Sequence, residues 1–328
     1  MITKLPRVSA SIFTVMSKMA ADFNAINLSQ GFPNFESDPL LIDAVAKAMK
    51  DGFNQYAPMQ GTMGLREKIS EKIQGLHGKT YRPETEITVT AGATQAIFTA
   101  IAATIHKGDE VIIFTPAYDC YEPSIELFGG ITVPIQLKAP QYAPNWEEVA
   151  AKITTKTRMV IINSPHNPSG MLFSKEDMLQ LQELAEKNNL LVISDEVYEH
   201  IIFDGNTHQS AARFDALSER TFITASFGKT FHNTGWKMGY CAGPETLMAE
   251  FNKVHQYNVF CVNHPIQIGL ATYLEDASHY LNLSGFYQEK RDLFLSLLKN
   301  SRFRILPSKG TYFQLLDFSD ISLEEIKK

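Results

Sequence analysis

The 328-residue chain has few cysteines, and they lie far apart. Cys120, Cys241 and Cys261 form no CxxC pair, so the sequence predicts neither a zinc site nor a disulfide framework. We therefore expect no bound metal. We also expect a reducing, cytoplasmic environment.

The sequence also lacks a basic run and a long apolar run. The net charge of -6 argues against nucleic acid or an anionic membrane surface as a partner. Lys18 and Asp22 interrupt the first apolar stretch, so no signal peptide is indicated. No later window is apolar over the about 20 residues that a membrane span requires. Small molecules are the expected ligands.

Nucleotide-binding motifs and internal repeats are absent as well: there is no GxGxxG and no P-loop lysine motif. What the chain does have is a series of short β-branched runs, such as 110–114 and 160–162, that alternate with helical patterns such as 175–189. Helical crossovers of this length join parallel strands and cover both faces of a sheet. The sequence therefore predicts an α/β fold with a mostly parallel central sheet.

One lysine follows a predicted strand directly. Residues 221–225 form a buried-strand pattern that ends in a polar turn holding Lys229. A lysine at the rim of a sheet can lose enough solvation to become neutral, which is the form that attacks a carbonyl carbon. Ser226 and Lys237 nearby are suited to a phosphate. From these residues alone, a surface lysine in a polar loop is an equally good interpretation.

Other predicted strand ends carry polar or aromatic residues. The helix start at 92–94 presents free N–H groups that can hold a phosphate, although small residues also begin helices that bind nothing. Ligands of such sheets gather at the carboxyl ends of the strands. We therefore expect a single site there, which draws on Gly92, Ala93, Thr94, Tyr118, Asn167, Asp195, Tyr198, Ser226 and Lys229.

Six motifs stand in a characteristic order: AGAT, PAYD, PHNP, DEVY, SFGKT and GWKMG. With them, residues 28–318 resemble the class I aminotransferases of the fold-type-I pyridoxal phosphate superfamily. NQYAPMQG is most similar to the methionine aminotransferase branch, near the kynurenine and glutamine aminotransferases. The resemblance implies a three-layer fold with a second, smaller α+β domain. Residues 1–40 would form an arm of the small domain, 41–275 the large cofactor domain, and 276–328 a bridging helix and the start of the C-terminal small domain.

The resemblance assigns a cofactor, pyridoxal 5'-phosphate, and the residues that hold it. Lys229 would bind it covalently, and Asp195 would face the pyridine nitrogen and keep it protonated. Tyr198 and Asn167 would bond the ring hydroxyl oxygen, and Tyr118 would stack on the ring. The phosphate would be held by the helix start at Gly92, Ala93 and Thr94, together with Ser226 and Lys237. Many relatives have arginine in place of Lys237, and lysine lacks the planar fork of arginine.

The resemblance also implies a homodimer with shared sites. Tyr56 would reach the phosphate of the partner subunit, and Phe260 would line the neighbour's substrate pocket. Phe13 and the backbone N–H of Gly31 would contact the substrate side chain and carboxylate. A pocket made of Phe13, Tyr118 and Phe260 favours a large apolar or aromatic amino acid.

The expected activity is a ping-pong transamination. The amino group of a methionine-like L-amino acid would pass to a 2-oxo acid, with Lys229 as general base. A carbon-sulfur β-lyase would use the same Lys229, Asp195 and Tyr198, because substrate orientation decides which bond breaks. A non-catalytic cofactor-binding or regulatory protein is a further alternative.

The end of the sequence departs from the family pattern. Relatives continue further and supply an arginine that grips the substrate carboxylate through two parallel bonds. Arg302 and Arg304 come too early to match it and are expected on a strand of the small domain. Two strands about a turn at 307–310 and a helix opened by Ser322 are predicted. We expect a truncated form of an active parent, in which cofactor binding survives better than catalysis.

Overall fold

The structure, a computed structural model, describes residues 3–6, 8, 11–29, 31 and 35–321. Its helices are α1 (Ile12–Asp22), α2 (Pro39–Lys50), α3 (Met63–His77), α4 (Gly92–Thr104), α5 (Tyr121–Leu127), α6 (Trp146–Lys152), α7 (Lys175–Lys187), α8 (Asp215–Ser218), α9 (Phe227–Thr230), α10 (Glu245–Asn258), α11 (His264–Tyr273), α12 (Ser278–Leu281) and α13 (Leu283–Leu298). Its strands are β1 (Ile87–Thr90), β2 (Glu110–Thr115), β3 (Ile131–Gln136), β4 (Thr157–Asn163), β5 (Leu191–Asp195), β6 (Thr221–Ser226), β7 (Gly239–Ala242), β8 (Arg304–Ile305) and β9 (Leu316–Asp317).

Seven strands form one central sheet in the order β1-β7-β6-β5-β4-β2-β3. Strand β7 runs antiparallel to both of its neighbours, and the remaining pairs are parallel. Strands β4, β5 and β6 are apolar along most of their length because helices cover both of their faces. The predicted α/β fold with a mostly parallel sheet is confirmed.

Alternate strand residues bury themselves in two separate apolar layers. On β2, Val111 and Ile113 pack with α4 and α10, whereas Ile112 and Phe114 pack in the layer that contains α2, α3 and α7. Helices α2 and α11 approach closely, since a β-carbon at Gly269 would lie 2.4 Å from Val45 Cγ2. The molecule therefore has three layers. Helices cover the two faces of the sheet, and the ends of the strands remain available for a site.

The C-terminal segment differs from its predicted form. Strands β8 and β9 exist, but the chain between them, 306–315, is longer than the turn predicted at 307–310. Gly310 pairs with Ile202, and the N–H of Thr311 donates to the carbonyl of Ile201 at 2.9 Å. This connection is therefore bound to the main body of the protein. Arg304 lies on β8 as predicted and pairs with Asp317 at 2.6 Å, whereas Arg302 lies before the strand begins.

One further predicted feature differs, and another is not tested. The long amphipathic run after residue 277 is divided at Asn282 into α12 and α13. The predicted helix that Ser322 would open lies outside the described residues. All three cysteines are free thiols. None of the helices in the described part of the chain has both the length and the apolar character needed to cross a bilayer.

A network of buried charges lies below the sheet, on the side of α3. The Lys72 ammonium is 2.6 Å from the Glu199 carboxylate, and their side chains are 4% and 6% exposed. Burial acts to raise the pKa of Glu199, but Lys72, His200 and His77 together outweigh burial and hold that pKa well below the usual range. Within the described residues, His77, Glu196 and Glu199 form a group that could offer metal ligands. Because Lys72 already neutralises Glu199 there, we assign this group a structural role.

Replacing Lys72 with methionine should lower the free energy of unfolding by about 3–5 kcal/mol, because the Glu199 charge would remain buried without its partner. Denaturant unfolding monitored by circular dichroism measures the change. The same substitution at Lys253, whose pair with Glu250 is exposed, should cost less than about 1 kcal/mol. Equal losses for the two variants would contradict a stabilising role of the buried pair.

Candidate active site

A cavity of about 290 Å³ opens at the carboxyl ends of β4, β5 and β6. The residues that the sequence placed in one site and that line this cavity are Phe13, Gly31, Gly92, Ala93, Thr94, Tyr118, Asn167, Asp195, Tyr198, Ser226, Lys229 and Lys237. Tyr56 and Phe260 are not among the lining residues. The convergence of strand ends thus takes the predicted form, while the individual roles of these residues stay predictions.

Lys229 lies on the short helix α9, immediately after β6. Its ammonium donates to the Tyr312 hydroxyl at 2.8 Å and to the Gly31 carbonyl at 3.2 Å. Burial, followed by repulsion from Lys237, lowers the pKa of Lys229 to about 8. A substantial fraction of this amine is therefore neutral near physiological pH and can act as a nucleophile or base.

Asp195 ends β5 and is 3% exposed. One carboxylate oxygen accepts a 2.5 Å hydrogen bond from the Tyr121 hydroxyl, and the other accepts from the Val197 N–H at 3.4 Å. Burial raises the pKa of Asp195 to about 6, and the bond from Tyr121 only partly offsets that effect. Asp195 is thus a desolvated carboxylate that faces the cavity and would gain from a cationic partner.

The loop after β4 is fixed by Asn163. Its amide nitrogen donates to the carbonyl of Asp195 at 2.9 Å, and its amide oxygen accepts from the N–H of Asn167 at 2.7 Å. His166 joins this loop to the preceding one through the carbonyl of Pro116 at 3.0 Å. Burial lowers the pKa of His166 to about 4, so this ring is neutral. These bonds place the Asn167 side chain at the cavity wall beside Asp195.

The opposite end of the cavity attracts anions. The N-terminus of α4 begins at Gly92, whose φ of +77° favours glycine. A β-carbon at Gly92 would lie 3.8 Å from Lys237 Nζ, so the ammonium adjoins the helix start. Lys237 itself has a left-handed φ of 55°, an uncommon conformation that often marks functional positions. Ser226 adds a hydroxyl to the same end.

Aromatic side chains wall the cavity between these ends. The Tyr118 and Thr94 hydroxyls are 3.1 Å apart, and burial raises the pKa of Tyr118 to about 12. The Tyr198 ring meets the Tyr312 ring edge to face at a centroid distance of 5.3 Å. Phe13 and Phe313 add apolar surface at the mouth. The middle of the cavity therefore suits a flat ring.

Two tyrosines that form hydrogen bonds with Asp195 and Lys229 were not identified from the sequence. Tyr121 donates to Asp195, and Tyr312 accepts from Lys229. Tyr121 follows the PAYD motif closely and could have been found from its place beside Tyr118. Tyr312 offered no such signal, because its position depends on the long connection 306–315. That connection is held by Arg291, which donates to the carbonyl of Ser308 at 2.8 Å.

Tyr56 and Phe260 lie side by side, away from the Lys229 cavity of their own chain. Their rings are 5.2 Å apart and perpendicular, and the two residues are 81% and 45% exposed. Tyr56 also lines a second, open depression together with Met49, Asn54, Gln55, Ala57, Cys261, Val262, Asn263, His264 and Pro265. An exposed aromatic pair of this kind is typical of a surface that meets another protein.

A lysine of lowered pKa between a buried carboxylate and an anion site, at the carboxyl ends of the strands of an α/β sheet, is the arrangement of an enzyme that handles amines. The chain belongs to the aminotransferase class I and II family, which matches residues 24–326. It is an aminotransferase, and the family acts on amino acids and 2-oxo acids.

Individual relatives agree with this assignment. Methionine aminotransferase of Escherichia coli is 47% identical over 321 residues, which cover 98% of this chain and 83% of that protein. Kynurenine-oxoglutarate transaminase of Dictyostelium discoideum is 37% identical over 96% of this chain and 77% of its own length. The crystal structure of YbdL from Escherichia coli, for which a methionine aminotransferase function was identified, superposes with a TM-score of 0.95 at 46% identity, covering 98% of this chain and 84% of that one. The family resemblance and the predicted transaminase activity are confirmed, and the lyase alternative is not favoured.

Proposed function

We propose that this aminotransferase uses pyridoxal 5'-phosphate to move the amino group of a large apolar, methionine-like or aromatic L-amino acid to a 2-oxo acid. The observation that carries the proposal is the position of Lys229, with its pKa of about 8, between Asp195 and Lys237 in one cavity. The amino acid class rests on the apolar mouth and on the names of the relatives.

The donors of the cavity fit this cofactor from end to end. Asp195 is a buried carboxylate whose pKa is raised by desolvation, and a protonated pyridine nitrogen beside it would favour the charged form. Lys237, Ser226 and the N-terminus of α4 converge at the other end, as a phosphate requires. Between them, Asn167 and Tyr198 line the cavity and would bond the ring hydroxyl.

When bound, pyridoxal phosphate supplies a carbonyl carbon that amines attack and a ring that accepts electrons from the substrate Cα. The chain's own residues hold and direct this chemistry. The Lys229 amine binds the cofactor and, when the incoming amino acid displaces it, takes the proton from the substrate Cα. Tyr118 would cover one face of the ring, and Asp195 would keep the ring nitrogen protonated. Gly31 offers its N–H to the substrate carboxylate.

The direct test mixes the protein, pyridoxal phosphate, methionine and a panel of 2-oxo acids, and measures the new amino acid by chromatography. We expect product that depends strictly on the acceptor and is greater with methionine and phenylalanine than with aspartate. Pyruvate and sulfide released from cysteine or cystathionine without any acceptor would favour a lyase instead. A bound cofactor whose absorbance no amino acid alters would favour the non-catalytic alternative.

Lys237→Ala should weaken the affinity for pyridoxal phosphate by about 10- to 100-fold, because a charge-assisted contact to the phosphate is lost. Equilibrium dialysis of the cofactor measures the change. The affinity for pyridoxal, which has no phosphate, should stay within about twofold, and Lys237→Arg should retain tight binding. An equal loss for both vitamers would show that Lys237 acts elsewhere.

We further propose that the functional unit is a homodimer in the cytoplasm. The exposed Tyr56 and Phe260 pair supports this, since each side chain would complete the site of the partner subunit. Three unpaired thiols suit a reducing compartment.

The dimer can be tested by complementation between two variants. Tyr56→Ala and Lys229→Ala should each be impaired, but in a mixed dimer one site contains an intact Lys229 and an intact Tyr56. Refolding the two variants together should restore part of the activity, and sedimentation should give the mass of two chains. A monomeric mass, or no recovery in confirmed mixed dimers, would contradict shared sites.

A further inference from the structure

The hydroxyl of Tyr312 lies between Lys229 and the backbone of Gly31. It accepts a hydrogen bond from Lys229 Nζ at 2.8 Å and donates to the Gly31 carbonyl at 2.7 Å. The same carbonyl accepts from Lys229 Nζ at 3.2 Å, so the three groups close a triangle. These hydrogen bonds hold the Lys229 amine in one position.

The protonation state of Tyr312 determines which group donates and which accepts each of these hydrogen bonds. Burial raises the pKa of the Tyr312 hydroxyl, so the group stays neutral and has a single proton to donate. That proton goes to the Gly31 carbonyl, which leaves the oxygen lone pairs for the Lys229 amine. Two of the bonding positions of Nζ are therefore taken by the Tyr312 hydroxyl and the Gly31 carbonyl, while Lys229 itself lines the cavity. The Tyr198 hydroxyl also lies within bonding reach of Tyr312.

The ring of Tyr312 is well fixed. It packs against Tyr198 at a centroid distance of 5.3 Å and against Phe313 at 5.1 Å. A β-carbon at Gly31 would lie 2.5 Å from the Tyr312 ring, so the backbone of Gly31 rests directly on it. The preceding loop is anchored by Arg291, which also pairs with Asp204 at 2.6 Å. A side chain held from several sides can impose a geometry on its neighbour.

We propose that Tyr312 is a positioning residue that orients the free amine of Lys229 for proton transfer at the substrate Cα. The inference rests on the proposed function, because it assigns Tyr312 to the step in which Lys229 is released and acts as base. A second interpretation is that Tyr312 only tethers the segment around Gly31. The two differ in which step of the reaction the hydroxyl affects, so they can be separated.

The test compares Tyr312→Phe, which keeps the ring, with Tyr287→Phe. Tyr287 is a suitable control because its ring neighbours Tyr312 at 5.9 Å and its buried hydroxyl has no hydrogen-bond partner among the described residues. For Tyr312→Phe we expect kcat to fall about 10- to 100-fold, KM to stay within about threefold, and the isotope effect with Cα-deuterated methionine to increase. Tyr287→Phe should leave all three unchanged.

A second readout needs neither cofactor nor turnover. In the cofactor-free protein, the rate at which an amine-acylating reagent labels Lys229 can be followed by peptide mass spectrometry across pH 6–10. Loss of the acceptor at Tyr312 removes a bond that favours the charged amine, so the labelling midpoint should move to lower pH in Tyr312→Phe. The Lys229 amine of the variant would thus react faster with the reagent, while the variant enzyme would turn over more slowly. This combination is not expected if Tyr312 only tethers the segment around Gly31.

The outcomes distinguish the proposals. A raised KM with an unchanged isotope effect and an unchanged labelling midpoint would overturn the positioning role and leave the tether. A wild-type protein that fails to transaminate any of the panel would overturn the proposed function, and the labelling comparison would still judge the contact between Tyr312 and Lys229.

Discussion

Replacing Lys229 with alanine is expected to abolish covalent cofactor binding and to lower turnover by at least about 10²- to 10⁴-fold, the range for a general base alone. In the proposed mechanism this side chain would serve twice, as the amine that joins the cofactor and as the base that moves the substrate proton. The other lysine that lines the cavity in the described residues, Lys237, adjoins the start of α4. Borohydride reduction followed by peptide mapping locates the bound cofactor, and a coupled assay gives the rate.

The matched control is Lys253→Ala, which removes an exposed lysine from the surface of α10. It should keep the cofactor, its absorbance and its activity. The Lys229 variant should also recover part of its rate when a small primary amine is added, since the cavity then holds a free base near the missing one. A reduced cofactor found on another lysine of Lys229→Ala would show that the anchor had been assigned wrongly.

The local part of the site could be predicted from sequence because each of its residues follows a strand. The run before Lys229 is β-branched and apolar, and Asp195 ends an equally clear strand. The carboxyl ends of parallel strands meet at one edge, so a correct strand order was not needed to expect these residues together. The apolar pattern therefore predicted that these residues converge, whereas their roles toward a cofactor came from the family resemblance and stay predictions.

The part of the site around Tyr312 depends on contacts between distant segments, which no local sequence pattern predicts. Tyr312 reaches Lys229 only because the chain between β8 and β9 is held against Ile201 and Gly170, more than a hundred residues away in sequence. A β-carbon at Gly170 would lie 2.3 Å from Ser308 Cβ, so that contact requires glycine. In the sequence the same stretch has the composition of a tight turn, and it was predicted as one.

The sequence predicted the direction and the main cause of the Lys229 pKa shift, but not the contribution of Lys237. The sequence suggested desolvation at the rim of the sheet, and burial is indeed the first cause of the shift at Lys229. Repulsion from Lys237 also depends on the left-handed backbone that turns this residue toward α4. The division of the chain into a large and a small domain stays a prediction, as do the substrate contacts of Phe13 and Gly31.

Asp195→Asn is expected to lower kcat/KM by on the order of 10²- to 10³-fold, about 3–4 kcal/mol, because a neutral amide cannot keep the ring nitrogen of the cofactor protonated. The loss should not come from unfolding. The pKa of Asp195 is raised to about 6, so in the cofactor-free protein its charge opposes folding by an amount that grows from pH 4 to pH 6 and is constant above. The asparagine variant should therefore unfold at an equal or higher temperature than the wild type when both lack cofactor.

Tyr121→Phe gives the graded comparison for this prediction. It removes the 2.5 Å bond that favours ionised Asp195 but leaves the carboxyl in place. The acidic limb of the kcat/KM profile should shift to higher pH, with a loss of about tenfold or less at pH 8. Two results would oppose the role given to Asp195: an asparagine variant as active as the wild type, or a Tyr121 variant whose loss is the same at every pH. Asp195→Asn measures the effect of the Asp195 charge, and Tyr121→Phe measures the effect of its hydrogen bond. Neither substitution alone would separate the two effects.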